Sequence, residues 1–307
     1  MATALAIRDL CKSYGDVRAV VHLDLEVGLG ECFGLLGPNG AGKTTTIEIC
    51  EGLTPPDSGD VELLGMRWAT HERELRNILG IQLQETQLSE KLTVAETVRL
   101  FRSFYAKGLG EDEVIALVQL EEKTRARVGT LSGGQKQRLA VACALVGDPR
   151  VLFLDEPTTG LDPQSRRQLW DLIERFRGDG RTVVLTTHYM DEAERLCDRV
   201  AIVDHGQVIA LDAPRALIAS LGAEHVVTFT ADGVAIEDAT LEALDGVTAV
   251  RHDNGSIQLT ATELRRTMPA LLTLLEQQHI RLTELSTHSA TLEDVFVSLT
   301  GRHLRDA

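Results

Sequence analysis

The chain has 307 residues, 43% of them hydrophobic and 25% charged, which is enough apolar material for one large domain or two and excludes disorder as the dominant state. Its 31 Lys+Arg stand against 46 Asp+Glu, a net charge of −15. That balance excludes sequence-independent attraction to a phosphate backbone, and no nucleic-acid partner is expected.

The first readable strand comes where Leu23, Leu25 and Val27 alternate with Asp24 and Glu26, the period of a half-buried strand. Cys32-Phe33-Gly34-Leu35-Leu36 is a short apolar run ending in a glycine-rich turn, as a fully buried strand does. Further strands are predicted at 61–64, 79–83, 151–154, 182–186, 199–203 and 207–211. Helices are predicted at 44–51, 94–105, 112–118, 133–146, 163–176, 190–197 and 214–220. Strands near 151 and 182 with a helix between them form a βαβ unit, hence a parallel sheet. No repeat and no low-complexity run interrupts this order.

A domain boundary is expected at about residue 221, closing a domain of residues 1–221. Beyond it, residues 222–307 hold 6 Arg, no Lys and 13 acidic residues, so this part offers no basic surface either. Its predicted order is strand 226–230, helix 237–244, strands 247–251 and 256–260, helix 262–277, strand 280–285 and helix 292–299. Asp253-Asn254-Gly255 supplies a hairpin turn between the paired strands. That order fits a small α+β sandwich, ferredoxin-like in outline. Leu292, Val295, Phe296 and Leu299 share one face of the last helix, a face that either packs inward or meets a partner.

The N-terminus lacks a basic flank and an apolar core, so no signal peptide is expected. The longest apolar stretch, near 139–146, is far short of the ~20 residues of a spanning helix. Cysteines 11, 32, 50, 143 and 197 are odd in number and widely spaced, which favours free thiols in a reducing cytoplasm over a zinc ribbon or a disulfide framework.

The chemistry sits on three segments. Gly37-Pro38-Asn39-Gly40-Ala41-Gly42-Lys43-Thr44 matches the phosphate-binding loop GxxxxGK[ST] and lies between a predicted strand and a predicted helix. Small residues let successive N–H groups wrap a phosphate, while the helix N-terminus adds its positive end. Lys43 can reach β/γ-phosphates and the Thr44 hydroxyl can ligate Mg²⁺; Thr45, next in the helix, is grouped with the binding residues. Val151-Leu152-Phe153-Leu154 delivers Asp155, a second Mg²⁺ ligand, and Glu156, placed to orient or deprotonate an attacking water. The bland alternative, a strand running into an acidic turn, loses weight once the phosphate loop is upstream. Third, Leu131-Ser132-Gly133-Gly134-Gln135 is a glycine-rich helix opening with Ser132 as a good N-cap, and so a second potential anion site.

With Lys136-Gln137-Arg138 behind it, this last segment resembles the signature of the ATP-binding cassette (ABC) ATPase family. Other matches to the family follow in order over residues 1–220. Tyr14 matches the aromatic that stacks on adenine. Gln84 matches the glutamine that senses Mg²⁺ and water, with Gln82 and Gln87 as nearby decoys, and it is counted among the metal ligands. Asp162, in Gly160-Leu161-Asp162, matches the residue that touches a partner subunit, and His188 matches the switch histidine at the γ-phosphate. The resemblance implies an α/β fold: a RecA-like P-loop core, an antiparallel β subdomain, and a helical subdomain at about 85–150 that carries the signature.

The tail Ser289-Ala290-Thr291-Leu292-Glu293-Asp294-Val295-Phe296 further resembles the end of ATPase subunits of ABC-2-type exporters of the daunorubicin-resistance kind. The resemblance therefore implies ATP and Mg²⁺ as cofactors and catalysis by Lys43, Gln84, Glu156 and His188. ATP would lie between Lys43 of one copy and Ser132, Gly133, Gly134 and Gln135 of a second copy stacked head-to-tail. A separate transmembrane permease would be driven from the cytoplasmic face of the membrane, with this chain peripheral to it. An importer ATPase is the nearest alternative, since these motifs do not encode direction. A soluble ABC ATPase acting on nucleic acid or ribosomes is weaker, because one acidic cassette carries neither long heptads nor paired cysteines. A switch GTPase is disfavoured by the lack of Asn-Lys-x-Asp.

Overall fold

The structure, a computed structural model, describes residues 2–84, 86–222, 224–232, 236–253 and 255–301. The chain divides into two units between Pro214 and Arg215, a few residues ahead of the expected 221.

The first unit opens with β1 (Thr3–Tyr14) and β2 (Val17–Gly28), followed by β3 (Cys32–Leu36), α1 (Lys43–Cys50) and β4 (Ser58–Leu63). Strands β2, β1 and β4 form an antiparallel sheet in that order. Next come α2 (Trp68–Ile78), β5 (Leu79–Gln82), α3 (Val94–Arg102), α4 (Glu111–Leu117) and α5 (Gly133–Leu145). The unit finishes with β6 (Val151–Asp155), α6 (Pro163–Gly178), β7 (Thr182–Thr187), α7 (Met190–Leu196), β8 (Arg199–Asp204) and β9 (Gln207–Asp212). These supply a six-stranded sheet in the order β5-β6-β7-β3-β8-β9, parallel except for β9.

Every residue of β3, β6 and β7 is buried, which is why these strands read as unbroken apolar runs and not as alternations. Helix α1 belongs to one core with both sheets. Ile47 and Ile49 share a cluster with Leu5, Leu25 and Leu63 of the antiparallel sheet and with Phe33 and Phe153 of the parallel one. Each such side chain contributes roughly 1.5–3 kcal/mol of burial, so the helix that follows the phosphate loop is firmly seated. The C-terminal ends of β3, β6 and β7 lie side by side, with Leu36 beside Thr187 and Asp155 beside Thr186. Ligands of open α/β sheets bind at such strand ends.

Two elements of this unit go unannounced by the sequence pattern. In β1 the ladder with β2 breaks register between Ile7 and Leu10 and again between Leu10 and Lys12, which spoils the strand alternation. Helix α2 buries only Leu75, so its apolar face is too thin to register. Helix α3 stops at Arg102 where 105 was expected; its start is fixed by a capping box between Thr93 and Glu96.

The second unit begins within α8 (Pro214–Ala219) and continues through β10 (His225–Asp232), α9 (Asp238–Glu242), β11 (Val247–Asp253), β12 (Ser256–Ala261), α10 (Leu264–Gln277), β13 (Arg281–Ser289) and α11 (Leu292–Thr300). Its strand order, β11-β12-β10-β13, all antiparallel with helices after the first and third strands, is the ferredoxin-like arrangement. Val227, Phe229, Leu259, Leu241, Leu271 and Leu275 join the sheet to α9 and α10. Strand β13 runs on to Ser289, beyond the expected 285, because it stays paired with β10 as far as His225. The predicted turn residue Asn254 lies outside the described residues. On α11, Leu292, Val295 and Phe296 are buried and Leu299 is exposed, so the face does not offer four apolar residues to a partner. Its capping box, Thr291 with Asp294, is formed.

Candidate active site

The phosphate loop leaves β3 at Leu36 and enters α1 at Lys43. Its glycines are sterically required at two points. A Cβ on Gly37 would stand 2.2 Å from the Val203 carbonyl, and one on Gly42, already at φ +99°, would stand 2.1 Å from that of Ala19. Gly40, at φ +78°, has open space around it, as a backbone that must admit a ligand needs. Pro38 and Ala41 are buried, Asn39 is exposed, and Thr44 and Thr45 are half-buried at the start of α1. Lys43 is 4% exposed; its ammonium donates to the carbonyls of Gly37 (2.8 Å) and Pro38 (3.0 Å) and lies 3.8 Å from Glu156 Oε1. Burial pulls its pKa down, against the opposing pull of Glu156 and Asp155.

The parallel register supplies the acidic half. Asp155, the last residue of β6, accepts from the Thr186 hydroxyl beside it and from Thr44 Oγ1 at 3.4 Å. Burial raises its carboxyl above the usual range, with the two hydroxyls opposing. Glu156 then turns the chain sharply, at φ +46°, a left-handed conformation that costs a non-glycine residue roughly 1–2 kcal/mol. Its amide is held by Thr186 Oγ1 at 2.9 Å.

The strain directs the Glu156 carboxylate into a ring of donors. Gln84 Nε2 donates at 3.2 Å and Thr159 Oγ1 at 3.1 Å to Oε2, and His188 Nδ1 stands 3.3 Å from the same oxygen. His188, foremost, and then Lys43 hold the Glu156 carboxyl below its usual pKa. His188 itself rests against Tyr189, ring centroids 4.1 Å apart, and the Arg166 guanidinium of α6 lies over the Tyr189 ring at 4.4 Å.

The structure thus brings Lys43, Thr44, Gln84, Asp155, Glu156 and His188 together. Gln82 is buried in β5 and spends its amide on the Leu83 carbonyl, so of the nearby glutamines it is Gln84 that reaches the carboxylate. The signature segment forms a separate group. Ser132 and Gln135 cap α5 reciprocally (3.3 and 3.0 Å), Gly133 is open, and a Cβ on Gly134 would strike Ser165 Oγ at 2.3 Å. Ser165 in turn is bound by Asp162, the N-cap of α6. Among the described residues no hydrogen bond or ion pair joins Ser132–Gln135 or Asp162 to the Lys43 cluster. Tyr14, 49% exposed at the end of β1, has the Lys12 ammonium 5.4 Å from its ring centroid and stands apart as well. A cleft of about 540 Å³ lined by Gly28, Glu31, Arg177 and Arg199 includes none of these residues.

Residues 20–159 match the family model described as ABC transporter. The Nod factor export ATP-binding protein I of Burkholderia orbicola is 40% identical over 97% of both chains. That of Cupriavidus metallidurans is 38% identical over the whole of both. The chain belongs to the ABC transporter ATP-binding subunits. Among solved structures, an ATP-binding subunit of an ABC transporter superimposes with TM-score 0.65 at 30% identity, covering 72% of this chain and 94% of that one. A dimeric cassette in a post-hydrolysis state, bound to ADP and Pi, gives 0.62 at 27% identity over 68% and 98%.

As an ABC subunit the protein is an ATPase that binds ATP, and no helix among the described residues is long and apolar enough to cross a membrane. Three site residues escape sequence reading in this cassette. Thr186 and Thr159 carry no motif and are found only through strand register and the fold of the turn. Glu192, fully buried on α7, accepts from Trp170 Nε1 at 2.9 Å and ties α6 to the segment after His188; burial raises its pKa.

Proposed function

We propose that the chain is the ATP-hydrolysing subunit of an ABC exporter, working as a head-to-tail pair of copies docked on a separate permease at the cytoplasmic face of the membrane. The observation that carries the export reading is that similarity to the export subunits extends over 97% of both chains, through the second unit as well as the cassette. In this reading the 1–214 cassette performs the chemistry and the second unit supplies contacts. The exported compound is of the drug, antibiotic or other hydrophobic class, selected by the permease.

The roles follow from the charges. Lys43 and the loop amides hold β/γ-phosphates, and Tyr14 stacks on the base. Glu156, kept ionised by His188 and Lys43, takes the proton of the attacking water, with Gln84 and His188 orienting it. Thr44 and Asp155 offer oxygen donors only, the hard set that Mg²⁺ selects. The ion would supply charge neutralisation at the phosphates. Ser132 to Gln135 and Asp162 complete the partner's site, which accounts for their separation from Lys43 within one chain.

Two measurements test this. A Lys43→Ala chain mixed with a Ser132→Arg chain should regain part of the ATPase, because both lesions fall in one composite site. Zero activity in demonstrated mixed dimers would reject independent composite sites. With the permease in inside-out vesicles, ATP should drive an amphipathic dye inward; ATP-driven loss of dye would reverse the direction to import.

A further inference from the structure

On the outer surface of the antiparallel sheet, Asp9, Cys11 and His22 bring a carboxylate oxygen, a sulfur and an imidazole nitrogen within 4.8 Å of one another. We propose that this cluster binds one thiophilic divalent ion of the Zn²⁺ class, with the three side chains as ligands and water in the fourth position. The placement coincides with the register breaks of the β1–β2 ladder between Ile7 and Leu10 and between Leu10 and Lys12. At them Asp9 and His22 take left-handed φ values of +49° and +48°, which re-aim both side chains.

The donors fit such an ion in geometry and in charge. Cys11 Sγ lies 3.7 Å from His22 Nδ1, the edge expected for a tetrahedron with metal–ligand distances of about 2.0–2.3 Å. Asp9 Oδ1 lies 2.5 Å from the same nitrogen, a hydrogen bond that must open by roughly 1 Å to admit the ion. The His22 amide donates to Cys11 Sγ at 3.3 Å, which holds the sulfur beside the imidazole. One thiolate and one carboxylate neutralise a divalent charge, while the sulfur and imidazole discriminate against Mg²⁺ and Ca²⁺. A nucleophilic triad is excluded by the same distances. Thiol and carboxylate both converge on Nδ1, whereas a relay needs them on opposite ring nitrogens. Asp9 and His22 are exposed and Cys11 is half-buried, so an ion can enter, whereas the other four cysteines are buried.

The test uses the reduced, metal-stripped full-length protein without nucleotide, titrated with Co²⁺ and then with Zn²⁺ against a chromophoric chelator. One equivalent of Co²⁺ should bind with a thiolate-to-cobalt charge-transfer band, and Zn²⁺ should displace it. Cys11→Ser should abolish the band. His22→Gln should weaken Zn²⁺ by more than about 100-fold, since loss of even outer-shell partners costs about 10–100-fold. Asp155→Asn, at the nucleotide site, should keep the band. No stoichiometric binding by the wild type, or a band that survives Cys11→Ser, would overturn the site.

Discussion

The two units solve the problem of burial in opposite ways. In the first, Lys43, Glu51, Asp155, Glu156 and Glu192 are all buried, and every buried charged residue among those described belongs to it. In the second, Thr267 is the one buried polar residue described, and the cluster between the sheet and its helices is made of apolar side chains. Burying a charge costs several kcal/mol unless partners offset it. A fold tolerates that expense where chemistry requires it, and the contrast identifies the first unit as the engine without reference to any motif.

The sharpest way to test the contrast is to remove one buried charge of the engine. Glu156→Gln keeps the shape and the Gln84 and Thr159 contacts but cannot accept a proton. ATP turnover should fall by about 10²–10⁴-fold while ATP binding persists, and the protein should accumulate as an ATP-bound dimer on size exclusion. Turnover at the wild-type rate would remove Glu156 from the chemistry. Lys43→Ala should cost on the order of 10²–10³-fold in turnover through loss of charge at the phosphates. In contrast to Glu156→Gln, it should weaken ATP binding as well, measurable by a fluorescent nucleotide.

How much of this the sequence displays differs between the same two units. The buried strands β3, β6 and β7 and the loop from Gly37 to Thr44 are legible because parallel strands read as apolar runs and the loop must be small. The ferredoxin-like order of the second unit is legible too, since its strands and helices alternate in the order the fold requires. What hides is whatever depends on neighbours distant in sequence. Thr186 matters only because register sets it beside Asp155, and Glu51 looks like a solvated helix end until α1 is seen between two sheets. The face of α11 was legible as apolar, but its burial was not; periodicity gives a stripe and leaves open what covers it.

The second unit predicts the converse of the active-site lesions. Phe229, 1% exposed in its core, should on truncation to Ala destabilise that unit by about 3–5 kcal/mol through lost burial and a cavity. ATP binding by the cassette should be unchanged, and calorimetry should resolve an early transition for the second unit. An equal loss of nucleotide binding would show that the two units unfold as one, and the comparison would fail.

The smallest effect probes a buried carboxyl that the chemistry does not use. Glu51, at the C-terminal end of α1, is 3% exposed, and neither carboxylate oxygen has a hydrogen-bond partner. Burial, then Asp155 and Glu48, pushes its pKa from 4.5 up to about 9. The folded protein therefore holds a proton across that window that the unfolded chain releases. Fewer protons on the unfolded state mean that stability falls as pH rises between those two values. Glu51→Gln keeps the volume and does not titrate, so the variant should melt close to the wild type at about pH 5 and several degrees higher at about pH 8.5. Differential scanning at a series of pH values reads the gap directly. A gap that stays flat over the range would mean that Glu51 is ionised in the fold, and the engine would then carry one more uncompensated charge than its geometry supports.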